Sequence, residues 1–369
     1  MKKIKLIILA IASLMTLTAC FPTGENVKSE QLETLSTKEL PRYIRLDGYE
    51  NLVVDAKVVA DIEQKWYEYK ASIKKWDIDE VKEVLAPDKV IKERVEDVNL
   101  KSYTFDDSFC LYLDEVSIRF VNQELSNRYY DKYIRKYSSF VADDLENDFP
   151  KENLDNVNKE EAITLVRNKI KDLGIEVKEE PLVIAMDVDN LTKLTDYNED
   201  IPESKKQLHK WEKDDEAYAI IFYGLQGGNK VTSEGYMTNP DYATGTRIKS
   251  LVSKDGLISL SISDVYEIKE KSELSKEICS PNHVVDVIKD KYKDVILTDP
   301  VEVSEIKLEY LPKAINLKEN SYSLSPFWVC NISKTEEYTK EGKTDKVISN
   351  FKIFIDAISG NEFSIGGMI

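Results

Sequence analysis

Cysteine, histidine, glycine and proline are all scarce in this chain, and each scarcity removes a class of protein. Four cysteines in 369 residues, none of them in a CxxC pair, exclude a disulfide miniprotein, a zinc ribbon and a thioredoxin-type redox site. The two histidines, His209 and His283, stand without HExxH or any paired-ligand spacing. With 13 Gly and 11 Pro, the composition is neither collagenous nor low-complexity. GxSxG is absent, and GLQGGN, holding Gly224, Gly227 and Gly228, does not make GxGxxG and reads as a strand-ending turn. Basic charge is also short: 51 Lys and Arg face 68 Asp and Glu, a formal net charge of −17. Nucleic acid is therefore not an expected partner, because phosphate binding rests on clustered Lys and Arg. What remains is 42% hydrophobic and 32% charged, a globular chain with room for two or three domains.

Residues 1–19, MKKIKLIILAIASLMTLTA, have the layout of a secretory signal peptide: Lys2, Lys3 and Lys5, an apolar run from Leu6 to about Leu17, then small residues. That run is shorter than the about 20 apolar residues a spanning helix wants. Leu17-Thr18-Ala19-Cys20 resembles the lipobox of bacterial lipoproteins. The resemblance implies cleavage between Ala19 and Cys20 and a diacylglycerol, with acyl chains such as palmitate, on the Cys20 thiol. Two chains anchor far more firmly than one, at about 0.8 kcal/mol per buried methylene. Residues 20–42 show no sustained periodicity and read as a flexible tether of about 25 Å r.m.s. span. Removing the three lysines of residues 1–19 takes 51 basic residues to 48 against 68 acids, a balance of −20, which suits a body held off anionic headgroups. The expected address is the extracytoplasmic face of the cell membrane.

In the body, NLVVDAKVV and KWYEYKASIKKW read as strands. DIDEVKEVLAP reads as a short helix, capped by Asp77 or Asp79, with Val81, Val84 and Leu85 on its apolar stripe and Pro87 as its stop. SYTF and SFCLYLDEVSIRFV return to strand, while residues 129–149 fit either period. NKEEAITLVRNKIKDLGI is the clearest helix. Asn158 and Glu161 have capping-box spacing, Ile163, Val166, Ile170 and Leu173 share one face, and Gly174 ends it. PLVIAM and EAYAIIFYGL read as strands, the second apolar on both faces, and Arg247–Val252 and Leu257–Ile262 as a hairpin turning at Ser253–Gly256.

The order then repeats. Ser280 caps a helix with Pro281 at its first position and Val284, Ile288, Tyr292 and Val295 on one face. VEVSEIKLEYL, SYSLSPFWVCNI and NFKIFIDAISGNEF follow as strands, Pro326 pointing to an edge or a bulge in the middle one. A helix followed by strands, twice, predicts an α+β body of duplicated units, each one helix packed on an antiparallel sheet, over residues 155–265 and 275–369, after an N-terminal α+β segment over 43–150. KEEAITLV, SPFWVCNI and FIDAISGNEF resemble the PepSY-like units of exported Gram-positive proteins. The whole layout, with CFPTGENV after the lipobox, resembles an uncharacterised family of lipoproteins in the same bacteria. No catalytic residue comes with that resemblance.

Asp196, Asn198 and Asp200 in TDYNEDIP place oxygens alternately, as a calcium loop begins, but Ile201 stands where its glycine belongs and Gln207 where its closing Glu belongs. The cluster reads as a solvated acidic loop, and no cofactor is expected. Cys110 and Cys330 fall on apolar strand faces as small hydrophobes, while Cys279 has no assigned role. The expectation is a non-catalytic surface lipoprotein that binds or regulates an envelope protein or a wall polymer. The alternative is a solute-binding lipoprotein of a transporter, whose usual signature is two α/β lobes around a hinge. Replacing Cys20 with Ala should shift the protein from the membrane fraction to the medium. Equal release of wild type and mutant would remove the anchor.

Overall fold

The computed structural model describes residues 40–46, 51–61, 64–97, 100–129, 149–196, 210–233, 235–238, 241–340 and 343–363. Of these described residues 49% are strand and 19% helix, so the body is mostly β. Two eight-stranded sheets carry it. Sheet one runs β1 (Tyr43–Leu46), β2 (Leu52–Val59), β17 (Val301–Asn316), β18 (Ser321–Lys340), β19 (Lys343–Asp356), β20 (Glu362–Phe363), with β3 (Tyr69–Ile73) joining β18 to β16 (Tyr266–Lys271). Sheet two is antiparallel throughout: β4 (Ile91–Glu96), β5 (Lys101–Phe105), β6 (Phe109–Leu113), β7 (Ser117–Asn122), β15 (Gly256–Ser263), β14 (Arg247–Ser253), β9 (Ala217–Tyr223), β8 (Leu182–Met186). Two small hairpins lie between β9 and β14: β10 (Leu225–Gln226) with β11 (Asn229–Lys230), and β12 (Gly235–Thr238) with β13 (Asp241–Thr244).

The duplicated α+β architecture is overturned by how the strands pair. In residues 155–265, β15 does not end its sheet but pairs with β7, and the ladder continues through β6 and β5 to β4. In residues 275–369, β17 runs parallel to β2, Leu52 opposite Val301, while β18 pairs with β3. Neither stretch closes a sheet of its own. Strand existence is written in local alternation, whereas the pairings of β7 with β15, β2 with β17 and β3 with β18 join residues from 138 to 255 positions apart, which no local period encodes.

Five α-helices occur among the described residues. In α1 (Ile78–Leu85), Asp77 caps the first turn by accepting from the N–H groups of Asp79 and Glu80, and Val81 and Leu85 are buried. The second, α2 (Gln123–Tyr129), follows β7 directly. In α3 (Lys159–Asp172), Asn158 accepts from the N–H groups of Glu160 and Glu161. Its side-chain amide donates to Glu161 at 3.1 Å, so the reciprocal bond runs to the side chain of the cap. Ile163, Val166 and Ile170 pack onto sheet two with Tyr103, Phe120 and Leu260. The other face of that sheet is covered by Tyr129, Leu191 of α4 (Val188–Asp196) and Trp211. On sheet one, α5 (Pro281–Tyr292) starts at Ser280, whose hydroxyl accepts from the His283 N–H, and buries Val284 and Ile288 against Val54, Val303, Trp328 and Cys330. Val295, placed on that face from the sequence, lies beyond the helix and is exposed.

Burial follows the covering. β2 alternates without a break, Leu52, Val54, Ala56 and Val58 inward and their neighbours in solvent, as a strand with one wet face must. β17 alternates likewise at first and is then buried continuously from Leu308 to Pro312, where Ala243 of β13 packs beside Leu311 on the second face. Pro326 is not at an edge. It lies opposite Tyr310 on β17, where the outer partner of β18 changes from β3 at Tyr322–Leu324 to β19 from Phe327 onward. Its carbonyl still accepts from Ala357 N–H. A residue without an N–H sits where one ladder ends and the next begins.

The two sheets are tied by the insertion between β9 and β14. Gly227 and Gly228 both take positive φ, 57° and 82°, and turn β10 into β11. Val231 then forms a parallel bridge to Tyr310, and Thr232 N–H donates to the Tyr310 carbonyl at 2.9 Å. Farther on, Gly245 presses against this strap so closely that a Cβ would lie 1.5 Å from the Thr232 carbonyl oxygen. Lys230 reaches buried Glu309 on β17 at 2.7 Å. Burial alone would push the Glu309 carboxyl up, but Lys230, with Lys307 and Lys352 nearby, outweighs it and holds the group below the usual glutamate range.

Lys230→Met leaves that carboxylate buried and unpaired, and should cost about 3–5 kcal/mol in urea unfolding, with much of the loss recovered in a Lys230→Met/Glu309→Leu double variant. The folded pKa of Glu309 lies below its unfolded value. The pair's contribution in wild type is thus complete above the ordinary glutamate range and lost as pH falls through the lowered value. A double variant as unstable as the single would contradict this.

Candidate functional site

The sequence-selected residues are not brought together. Ala19, Cys20, Asn198, Asp200, His209 and residues 130–148 lie outside the described residues, and Asp196 is the last residue of α4. His283 is half-buried in the first turn of α5, its Nε2 3.0 Å from the Gly360 carbonyl, a bond only a protonated Nε2 can donate. Cys110, Cys279 and Cys330 are buried free thiols. Burial pushes the Cys279 thiol up to about 12, and that of Cys330 upward as well. Both thiols are protonated at neutral pH, and a protonated thiol is not a nucleophile. Among the described residues no group of three His, Cys, Asp or Glu could hold a metal ion, and no helix is long and apolar enough to cross a membrane.

The buried acids serve the fold. Asp187, fully buried, opens α4 by accepting from the N–H groups of Asp189 and Asn190, from the Asn190 amide at 2.7 Å and from Lys151 at 3.0 Å. Burial would raise its carboxyl, but the bonds from Asn190 and Lys151 prevail and lower it. Glu216 beside it accepts from the Val188 N–H at 3.2 Å and pairs with Lys213 at 3.5 Å. A depression of 520 Å³ lies at the start of α3, lined by Asn153, Asp155, Asn156, Asn158 and Tyr218 among others. The Tyr218 hydroxyl there accepts from Leu154 N–H at 2.7 Å, and Asn158 is the helix cap. Its polar groups hold a capping loop in place.

What the sequence reading missed is an arm. It ended one strand at Ile332 and began the next at Asn350, leaving the charge-rich residues between them unassigned. In the structure β18 and β19 stay in register through that stretch, from Ile332 opposite Phe351 to Lys340 opposite Lys343. β17 accompanies β18 only as far as Lys334, opposite Val301. Past the bond from Thr335 N–H to the Pro300 carbonyl, the described hairpin has two strands and no third. Glu337 and Lys346 face each other at 2.8 Å. Val347 and Ile348 are 42% and 63% exposed. An isolated two-stranded hairpin is marginal in water, so this element is held by its continuity with the sheet and offers both apolar side chains and an edge. The signal was slight: one Val-Ile pair in a polar run.

Because the thiols are buried and held protonated, Cys279 and Cys330 should resist iodoacetamide in the folded protein at pH 8 and react within minutes once it is unfolded. Mass spectrometry reads the difference. Rapid labelling of folded protein at either position would show an accessible thiolate.

No family model matches the chain, and no curated protein sequence does. Among solved structures, an uncharacterized protein from Eubacterium rectale ATCC 33656 is similar at a TM-score of 0.66 and 20% identity, over 88% of this chain and 94% of that one. The likeness is one of fold.

Proposed function

We propose that the chain is a membrane-anchored surface lipoprotein, held through lipid on Cys20, whose body is a non-catalytic binding or regulatory module of the cell envelope. The observation that carries the reading is the β18–β19 arm, a two-stranded hairpin that runs past its sheet, with Val347 and Ile348 exposed at its side. Exposed strand edges recognise other polypeptides by adding a strand, main-chain bonds giving affinity and alternate side chains giving selectivity. The chemistry-bearing side chains support the same reading, since Asp187, Glu309 and His283 are engaged inside the fold. Export and anchoring rest on the resemblance at Leu17–Cys20 and place the arm outside the membrane.

Placing a photo-crosslinking residue at Ile348 in intact cells should capture a polypeptide, while the same residue at exposed Lys92 of β4 should capture none. A small solute that stabilises the purified protein, with no capture at Ile348, would favour the transporter reading instead.

A further inference from the structure

We propose that the β9–β14 insertion is a strap gated by pH at both its ends, seated at Glu309 while that carboxyl is ionised and at Asp264 while that carboxyl is protonated. Acid loosens one end and rising pH the other. Either release uncovers the second face of β17, where Ala243 packs beside Leu311.

Both acids are buried, Glu309 at 5% and Asp264 at 6% exposure, and each stands where the insertion meets a sheet. They differ in how near a cation comes. Lys230 reaches Glu309 at 2.7 Å, whereas the guanidinium facing Asp264, that of Arg247, stands 3.9 Å away, beyond hydrogen-bond reach. A buried carboxylate keeps its charge only beside a close, hydrogen-bonded cation, and otherwise takes up a proton. The geometry thus assigns the charged form to Glu309 and the neutral form to Asp264.

Asp264 cannot shift toward Arg247 without disturbing the joint it belongs to. It lies between β15 of sheet two and β16 of sheet one, in the left-handed region at φ 55°. Its N–H donates to the Val116 carbonyl at 2.9 Å, and its carbonyl accepts from the Thr246 hydroxyl at 2.8 Å. Thr244 and Thr246 are buried where the insertion returns to β14, and the Tyr266 hydroxyl donates to the Thr244 carbonyl at 2.6 Å. Movement of the carboxylate therefore pulls on the strap's return. Gly245, pressed against the Thr232 carbonyl, packs that return onto the segment whose N–H holds Tyr310.

The groups facing Asp264 divide by sign. Arg247 of β14 and the Thr244 and Ser263 hydroxyls favour its ionised form, while Asp114 in the β6–β7 turn opposes it. Tyr322 of β18 is itself pushed up by burial and stays neutral. Burial of Asp264 outweighs its favourable neighbours and holds it above the usual aspartate range. Its contribution is complete below that range and lost as pH rises through the raised value, the reverse of Glu309. Each unit between folded and unfolded values changes the local opening equilibrium about tenfold.

The test is amide hydrogen exchange by NMR on the full chain in detergent, from about pH 3 to about pH 9, corrected for intrinsic rates. The reporters are the Asp264 N–H, the Lys74 N–H that donates to the Val265 carbonyl, and the Thr232 N–H on the Tyr310 carbonyl. Protection at Asp264 and Lys74 should fall about tenfold or more as pH rises through the Asp264 titration, and protection at Thr232 as pH drops through that of Glu309. Asp264→Asn, which tolerates the left-handed backbone, should remove the first dependence and keep the second. Glu309→Gln should do the reverse. A purely structural role would instead shift all three amides together at every pH. Flat wild-type profiles, or an Asp264→Asn variant that keeps the wild-type profile at Asp264 and Lys74, overturn the proposal. Should a variant fail to fold, the carboxyl carbon shift of Asp264 in wild type decides, since titration at or below the ordinary aspartate value of about 3.9 overturns it as well.

Discussion

Glu309 is buried on the strand at the centre of sheet one, and a carboxylate there is tolerable only because Lys230 reaches it at 2.7 Å. Desolvating either charge alone costs several kcal/mol, and their attraction in a low dielectric offsets that only at close approach. Lys230 can approach because Gly227 and Gly228 turn the chain on positive φ, setting the following residues beside Tyr310. The pair therefore fixes where the β9–β14 insertion lies, and that insertion covers the second face of β17. Continuous burial from Leu308 to Pro312 is the consequence.

Around this tie the aromatic side chains are arranged to match. Trp66 and Tyr69 lie 4.9 and 5.5 Å from the Tyr310 ring, centroid to centroid, and the Tyr67 N–H donates to the Tyr310 hydroxyl at 3.1 Å. Burial pushes that hydroxyl far above the usual tyrosine range, so it stays a neutral hydrogen-bonding group. Asn320 makes a second tie of the same economy. In the left-handed region at φ 51°, it uses its side-chain amide as a strand residue uses its backbone, accepting from Ile73 N–H and donating to the Ile73 carbonyl, both at 2.9 Å. Both of these contacts lie within sheet one, so where the chain crosses between the sheets at β3 to β4 and back at β15 to β16 it is the β9–β14 insertion, held at Tyr310 and Glu309, that keeps the sheets from shifting.

How far the sequence was legible follows the same physics. Asn158 and Ser280 were readable as caps, and Asp77 as one of two candidates with Asp79, because capping is a contact over three residues; the apolar stripes of α3 and, as far as Tyr292, of α5 were readable because helical period is local. The Gly227-Gly228 turn and the burial of Cys110 and Cys330 were readable for the same reason. The pairing of β2 with β17 and of β7 with β15 was not, since those partners are chosen by which faces remain uncovered after everything else has packed. Two helices each followed by strands looked like a repeat, although α3 and α5 cover sheets built largely from elsewhere in the chain. The arm escaped because its ladder is inherited from the register set by Trp328 opposite Ile355, with the local composition contributing little.

An exposed two-stranded hairpin is a liability that proteins blunt with charge, and Lys346 on the arm is such a guard. The guard has a gap two residues on. Ile348 is largely exposed, where another lysine would have guarded the arm at no cost to a core it does not touch. Strong acidity across the chain, −17 in all, keeps copies apart at a distance, and such long-range repulsion is screened beyond about 8 Å at physiological salt. Any approach to the arm is therefore governed at short range, by exposed Val347 and Ile348 and the charges of Glu337 and Lys346 beside them.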